Sequence, residues 1–108
     1  TPMCPRCNRT ARPNILMFGD YSWLHHRTSG QEDQFQNFLH RNGGKATVVL
    51  EMGAGTSIPT IRNLSEQLGR RQNSIVIRIN PREAHIHGGH VSLACGSVAG
   101  LEGIEAEL

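Results

Sequence analysis

No apolar stretch in the 108 residues approaches the roughly 18 needed to span a membrane, so no transmembrane helix is expected. The first residues, Thr1-Pro2-Met3-Cys4-Pro5, lack the basic start and apolar core of a signal peptide. Charge is also slight: a formal +2 offers no electrostatic case for nucleic acid, which needs basic residues gathered into a stripe. Arg70-Arg71 is the only adjacent Lys/Arg pair and suits a solvated helix end. Neither a repeat nor a low-complexity segment is present, and with 37% hydrophobic and 19% charged residues the chain falls among globular domains. These absences leave the cytoplasm as the default compartment. Cysteines are few and odd in number, and two of the three form Cys4-Pro5-Arg6-Cys7. In a cytoplasmic chain that spacing favours metal or redox chemistry over a structural disulfide. An initiator Met is missing as well, and the chain enters a cysteine knuckle almost at once, so it reads as a piece of something longer.

What is present alternates between strand-like and helix-like segments. Asn14 to Phe18 is a short apolar run between Pro13 and Gly19 and suits a buried strand. Gln31 to Arg41 spaces Phe35, Phe38 and Leu39 as one face of a helix ended by Gly43-Gly44. Ala46 to Met52 is rich in β-branched residues and runs into glycines, the clearest strand signal in the chain. Pro59 opens a second helix with Ile58, Ile61, Leu64 and Leu68 on one apolar face. Ser74 to Ile79 reads as another strand, stopped by Asn80-Pro81 and followed by a loop from Arg82 to about Val91. A last helix from Ser97 to Leu108 places Val98, Leu101, Ile104 and Leu108 on one side. Strands alternating with helices predict an α/β fold with a parallel sheet. Three strands make a thin sheet, so the pattern suits half of a doubly wound domain. Its missing half would leave Val48, Leu50 and Val76 poorly covered.

Gly53-Ala54-Gly55-Thr56-Ser57-Ile58-Pro59 joins the best strand to the best helix. Ligands of open α/β sheets bind at the carboxyl ends of strands beside helix N-termini, where free N–H groups attract phosphate. Thr56 and Ser57 add hydroxyls for ribose or phosphate. Ile58 takes the place of the third glycine of the usual dinucleotide fingerprint, and no Lys-Ser/Thr pair follows to make a P-loop. The same residues also suit a plain tight turn with Ser57 capping the helix. Asn80 leaves the next strand at the same sheet edge, where it can either bond a ribose hydroxyl or start an Asn-Pro turn.

Cys4 and Cys7 can supply two of the four ligands of a tetrahedral zinc. Cys95 lies beyond the strand–helix core in sequence and suits a small buried position. His85, His87 and His90 form a His-x-His-x-x-His cluster in a loop with Gly88-Gly89, suited either to a metal or to a solvated turn.

In order along the chain, Cys4-x-x-Cys7, Arg12-Pro13, the run ending Phe18-Gly19-Asp20, Gly55-Thr56-Ser57, Ile79-Asn80 and the final helix resemble the C-terminal portion of the sirtuin family. The resemblance implies a partial Rossmann-like domain, residues 13–108, preceded by a remnant of a small zinc domain, residues 1–12. It implies NAD as a consumed co-substrate and an acyl-lysine peptide bound beside it. Gly53, Gly55, Thr56 and Ser57 would lie in the NAD-contacting loop, with Asn80 at the adenosine ribose and Ser97 near the adenine. Phe18 and Gly19 would line the substrate peptide, which adds as a strand. Cys4 and Cys7 would be the second pair of a four-cysteine structural zinc site. No catalytic residue falls within these residues, because the family's histidine and first glycine-rich loop belong to a segment before the zinc knuckle. The isolated chain is therefore expected to be inactive without that N-terminal half. Asp20 stands where many relatives carry Glu, and Tyr21-Ser22-Trp23 replaces a more apolar stretch. Two other readings remain: a stand-alone nucleotide-binding module, or a Cys/His metal-binding interaction domain.

Overall fold

The computed structural model describes residues 1–108, which fall into two compact units, Thr1–Gly43 and Gly44–Leu108. The elements run α1 (His26–Arg41), β1 (Thr47–Met52), α2 (Thr60–Gly69), β2 (Ser74–Ile79), β3 (Val91–Leu93) and α3 (Ser97–Glu105). No helix is long and apolar enough to cross a membrane.

The first unit begins with a bridged turn that carries Cys4 and Cys7. An antiparallel bridge joins Met3 to Thr10, and inside it the Asn8 and Cys4 amides donate to the carbonyls of Cys4 and Arg9, each at 2.8 Å. Asn8 turns the chain at φ 52°, a left-handed position that asparagine tolerates well. The strand expected at Asn14 to Phe18 does not form: these residues are exposed and pair with no strand. The Asn14 carboxamide instead spans to Leu24, donating to its carbonyl at 2.7 Å and accepting from its amide at 3.2 Å, so the segment closes on itself. Arg12 and Asp20 pair at 2.5 Å, and that hydrogen bond holds the Asp20 carboxyl below the usual carboxylate range. Helix α1 starts five residues before the expected Gln31 and buries none of its residues, with only Phe35 and Leu39 half-covered.

The second unit is a small α/β fold whose three-stranded sheet has the order β1-β2-β3 and is parallel throughout. Strands β1 and β2 match the expected segments; β3 was expected to be the end of a loop. Pairing of Val48 with Ile75, Leu50 with Ile77 and Met52 with Ile79, then of Ile77 with Val91 and Ile79 with Leu93, places eight apolar side chains on one face. The opposite face carries Val49, Glu51, Val76, Arg78 and Ser92, and α2 packs there.

That second face is polar at its centre. The helix turns Arg62, Ser65 and Gly69 inward, while Ile61 and Leu64 stay 57% and 36% exposed. The reason is a buried charge network. Arg78, 1% exposed, forks onto Glu51, 3% exposed, at 2.5 and 2.9 Å and reaches Glu66 at 3.0 Å. Ser65 completes it by donating its hydroxyl to Glu51. A leucine turned inward would leave those charges without partners. Gly69 allows the helix end to seat closely, since a Cβ there would stand 2.6 Å from Val76 Cγ2.

The apolar face is thinly covered. Gly100 of α3 rests on Ile79, which is fully buried, whereas Val48, Leu50 and Met52 are 61%, 46% and 45% exposed. The expected exposure of Val48 and Leu50 is found. That of Val76 is not, because Val76 lies on the α2 face. The last helix ends at Glu105, short of the expected Leu108; Val98 and Leu101 on it are exposed, and Gly100 makes its contact with the sheet.

Candidate functional site

The turn after β1 stands at the carboxyl edge of the sheet. Gly53 extends the ladder, its amide donating to the Ile79 carbonyl at 3.0 Å, and then reverses the chain at φ +68°, which glycine adopts at no steric cost. Gly55 to Pro59 are exposed. Helix α2 follows with Pro59 at its N-cap and no side-chain cap, so Ser57 does not play the capping role considered for it.

Two buried polar residues hold the turn from beneath. Asn80, at the end of β2, donates through Nδ2 to the Ala54 carbonyl at 3.1 Å. Its Oδ1 accepts from the amides of Arg82 and Glu83 at 3.0 and 2.9 Å. Asn80 thus both starts the turn expected at Asn-Pro and ties it to the glycine loop. Arg62 donates through Nε to the same Ala54 carbonyl at 3.0 Å and through Nη2 to the Glu83 carbonyl. Both loops are fixed from two sides, the condition for a preorganised site.

Gly55, Thr56, Ser57, Ile58, Arg82 and Glu83 enclose an open cleft of about 600 Å³ between the two loops. Across it Thr56 donates its hydroxyl to Glu83 Oε1 at 2.5 Å, while Arg62 lies 3.9 Å from Glu83 Oε2. A carboxylate with free lone pairs accepts the hydroxyls of a ribose, and the exposed Arg82 and the amides at the start of α2 offer positive charge to phosphate. The volume lies within the range of small-molecule sites.

Of the expected nucleotide residues, Gly55, Thr56 and Ser57 line this cleft, Gly53 and Asn80 shape it from behind, and Ser97 is not among its lining residues. Arg62 and Glu83 were not anticipated. Arg62 interrupts the apolar spacing of α2, and Glu83 follows Asn80 by three residues. Those positions were the only sequence signals for them.

In the first unit, Leu16 to Tyr21 bound a cavity of about 500 Å³. Phe18 is 96% exposed, and Gly19 turns the chain at φ +71°. Cys4 and Cys7 share the knuckle turn and are both free thiols. The Arg6 and Cys7 amides and the Cys7 thiol donate toward Cys4 and lower its pKa, which favours the thiolate a metal requires. Nowhere do three or more His, Cys, Asp or Glu side chains gather so as to hold a metal, so the knuckle offers two ligands and not a complete set. Cys95 packs toward Gly100, as a small half-buried residue.

Comparison with protein-family models, with curated proteins and with solved structures gives no match.

Proposed function

We propose that the chain supplies the nucleotide-holding edge of a sirtuin-type NAD-dependent protein deacylase, with the catalytic segment contributed by residues outside it. The observation that carries this reading is the exposed Gly55-Thr56-Ser57 turn, held by Asn80 and Arg62 over a cleft that also contains Glu83 and Arg82. In this reading Glu83, with Thr56, takes ribose hydroxyls, and Arg82 with the start of α2 takes phosphate. The open face of the sheet supports a partial Rossmann-like domain that needs further elements to close. Cys4 and Cys7 fit half of a zinc knuckle by donor type and by the depressed thiol of Cys4. Zinc, when bound, would tie the knuckle to a second cysteine pair and do no chemistry. Phe18 and Gly19 are offered for the acyl-lysine peptide.

The test is a titration of the full chain with ADP-ribose, NAD and ATP, followed by amide resonances. Weak binding with shifts confined to Gly53–Ser57 and Arg82–Glu83 is expected, together with no nicotinamide release on an acyl-lysine peptide. Absence of shifts at saturating ADP-ribose would remove the proposal. Tight, self-sufficient binding of ATP would favour a stand-alone nucleotide module instead.

A further inference from the structure

The geometry points to a second ligand site, a divalent transition-metal site on the His85–His87 pair, independent of the nucleotide reading. The two Nε2 atoms lie 3.1 Å apart, with ring centroids 4.2 Å apart and planes at 89°. A cation bonded to two imidazoles at about 2.0–2.1 Å, in tetrahedral or octahedral angles, sets its nitrogens roughly 2.8–3.4 Å apart. The pair already stands at the bite of a chelate.

Residues two apart on extended backbone direct their side chains to the same side. The loop that carries this pair is also clamped. Arg78, itself fixed by Glu51 and Glu66, donates through Nη1 to the His85 carbonyl at 2.7 Å. The Ile86 amide donates to Ser92 Oγ at 3.2 Å, and the Val76 amide donates to His90 Nδ1 at 3.3 Å. Gly88 and Gly89, at φ +84° and +77°, then turn the chain back toward His90. Both paired histidines are exposed, so a cation reaches them without unfolding anything.

His90, the third histidine of the sequence cluster, is not a ligand. Its Nδ1 is taken by Val76, and its Nε2 would stand 2.9 Å from a Cβ on Gly69, against which it packs. No third protein ligand completes the set. Water or a donor from a bound molecule fills the remaining positions, so the site is open and of modest affinity. Imidazole nitrogen selects zinc, nickel or copper(II) over calcium or magnesium, which prefer oxygen. In the metal-free pair one Nε2–H donates to the other ring. On binding, that ring carries its proton on Nδ1 and both Nε2 lone pairs face the cation, with no change in charge on the imidazoles.

The test uses the full chain carrying Cys4→Ser and Cys7→Ser, so that these thiols do not compete, titrated with zinc and with nickel. One equivalent is expected to bind, with the zinc-induced nitrogen shifts at Nε2 of His85 and His87. His85→Gln or His87→Gln should each weaken binding about tenfold or more, the size of loss that removing even an outer partner of a metal ligand brings. His40→Gln, on the exposed side of α1, serves as the control and should change nothing. Equal affinity in H85Q, H87Q and the parent, or shifts centred on His25 and His26, would overturn the site and leave His85–His87 a hydrogen-bonded pair only. Circular dichroism of each variant excludes loss of fold as the cause.

Discussion

Replacing Arg78 with methionine tests whether the buried charge network holds the sheet to α2. The substitution keeps most of the side-chain volume and removes two hydrogen bonds to Glu51 and one each to Glu66 and the His85 carbonyl. Glu51 would remain buried with only Ser65 to satisfy it. Breaking one half of such a pair costs about 3–5 kcal/mol, because the surviving charge keeps its desolvation penalty. Against a total stability of about 5–15 kcal/mol, that loss unfolds a large share of the molecules or brings them near the threshold. The pH dependence gives a second readout. Burial pushes the Glu51 carboxyl up, but the hydrogen bonds from Arg78 and Ser65 together outweigh it, and its pKa lies below the ordinary value. Its contribution is therefore present above the unfolded-state value and lost as pH falls through the lower folded one. In R78M burial dominates, the carboxyl titrates upward, and acid relieves the variant by neutralising Glu51. Urea unfolding followed by circular dichroism should show the widest gap between R78M and the parent near neutrality and a narrower one in acid. A loss below about 1 kcal/mol, the size of a surface pair, or a gap that widens in acid, would refute the reasoning. The double variant Glu51→Leu/Arg78→Met should recover most of the stability, since apolar replacement of both partners is often neutral or better.

Gly69→Ala places a methyl 2.6 Å from Val76 Cγ2 and should destabilise by about 1–3 kcal/mol. Gly103→Ala, with nothing within 4 Å, should stabilise α3 by about 0.5–1 kcal/mol; thermal melts that reverse these signs would contradict the packing described. Asn80→Ala deprives the Arg82 and Glu83 amides of their acceptor and leaves the Ala54 carbonyl with Arg62 alone, at about 1–3 kcal/mol for the buried groups. It should broaden amide resonances across Gly53–Ser57 more than elsewhere, and unaltered line widths there would show that Asn80 does not hold the turn. Leu50→Lys lies on the open apolar face and should leave monomer stability within about 0.5 kcal/mol. The parent is expected to self-associate through this face in sedimentation velocity and Leu50→Lys to reduce that association; unchanged association would place the contact elsewhere.

The parts legible in the sequence were those governed by local rules. β-Branched runs bounded by glycine, Asn-Pro and Pro59 mark β1, β2 and α2 within one or two residues. Asn14 to Phe18 met the same local criteria and failed, because a strand needs a partner edge and the Asn14–Leu24 bonds fold the segment onto itself. β3 was missed because three residues carry no period, and its strand character comes from pairing with β2. The apolar stripe of α2 was read correctly as a pattern, but the pattern does not say which way the helix faces. Its direction depends on Glu51 and Arg78, two charged residues in separate strands that only the register brings together. The same holds for the cleft: its glycines and hydroxyls follow one another in sequence, whereas Arg62 and Glu83 join it through the fold.

The two edges of the sheet differ in how open they are to further pairing. β3 is a three-residue edge strand, and short edge strands resist further pairing. β1 is six residues long and hydrogen-bonded only to β2, with Val48, Leu50 and Met52 exposed on one face. On its other face a groove of about 300 Å³ runs between β1 and the apolar side chains Ile61, Leu64 and Leu68 of α2. A long edge strand with exposed apolar side chains is open to further pairing in a way that a three-residue edge is not. Because the inward side of α2 is committed to Glu51 and Arg78 through Ser65 and Glu66, Ile61, Leu64 and Leu68 are left to line the groove beside β1. The ion pair that orients the helix therefore also accounts for the apolar lining of that groove.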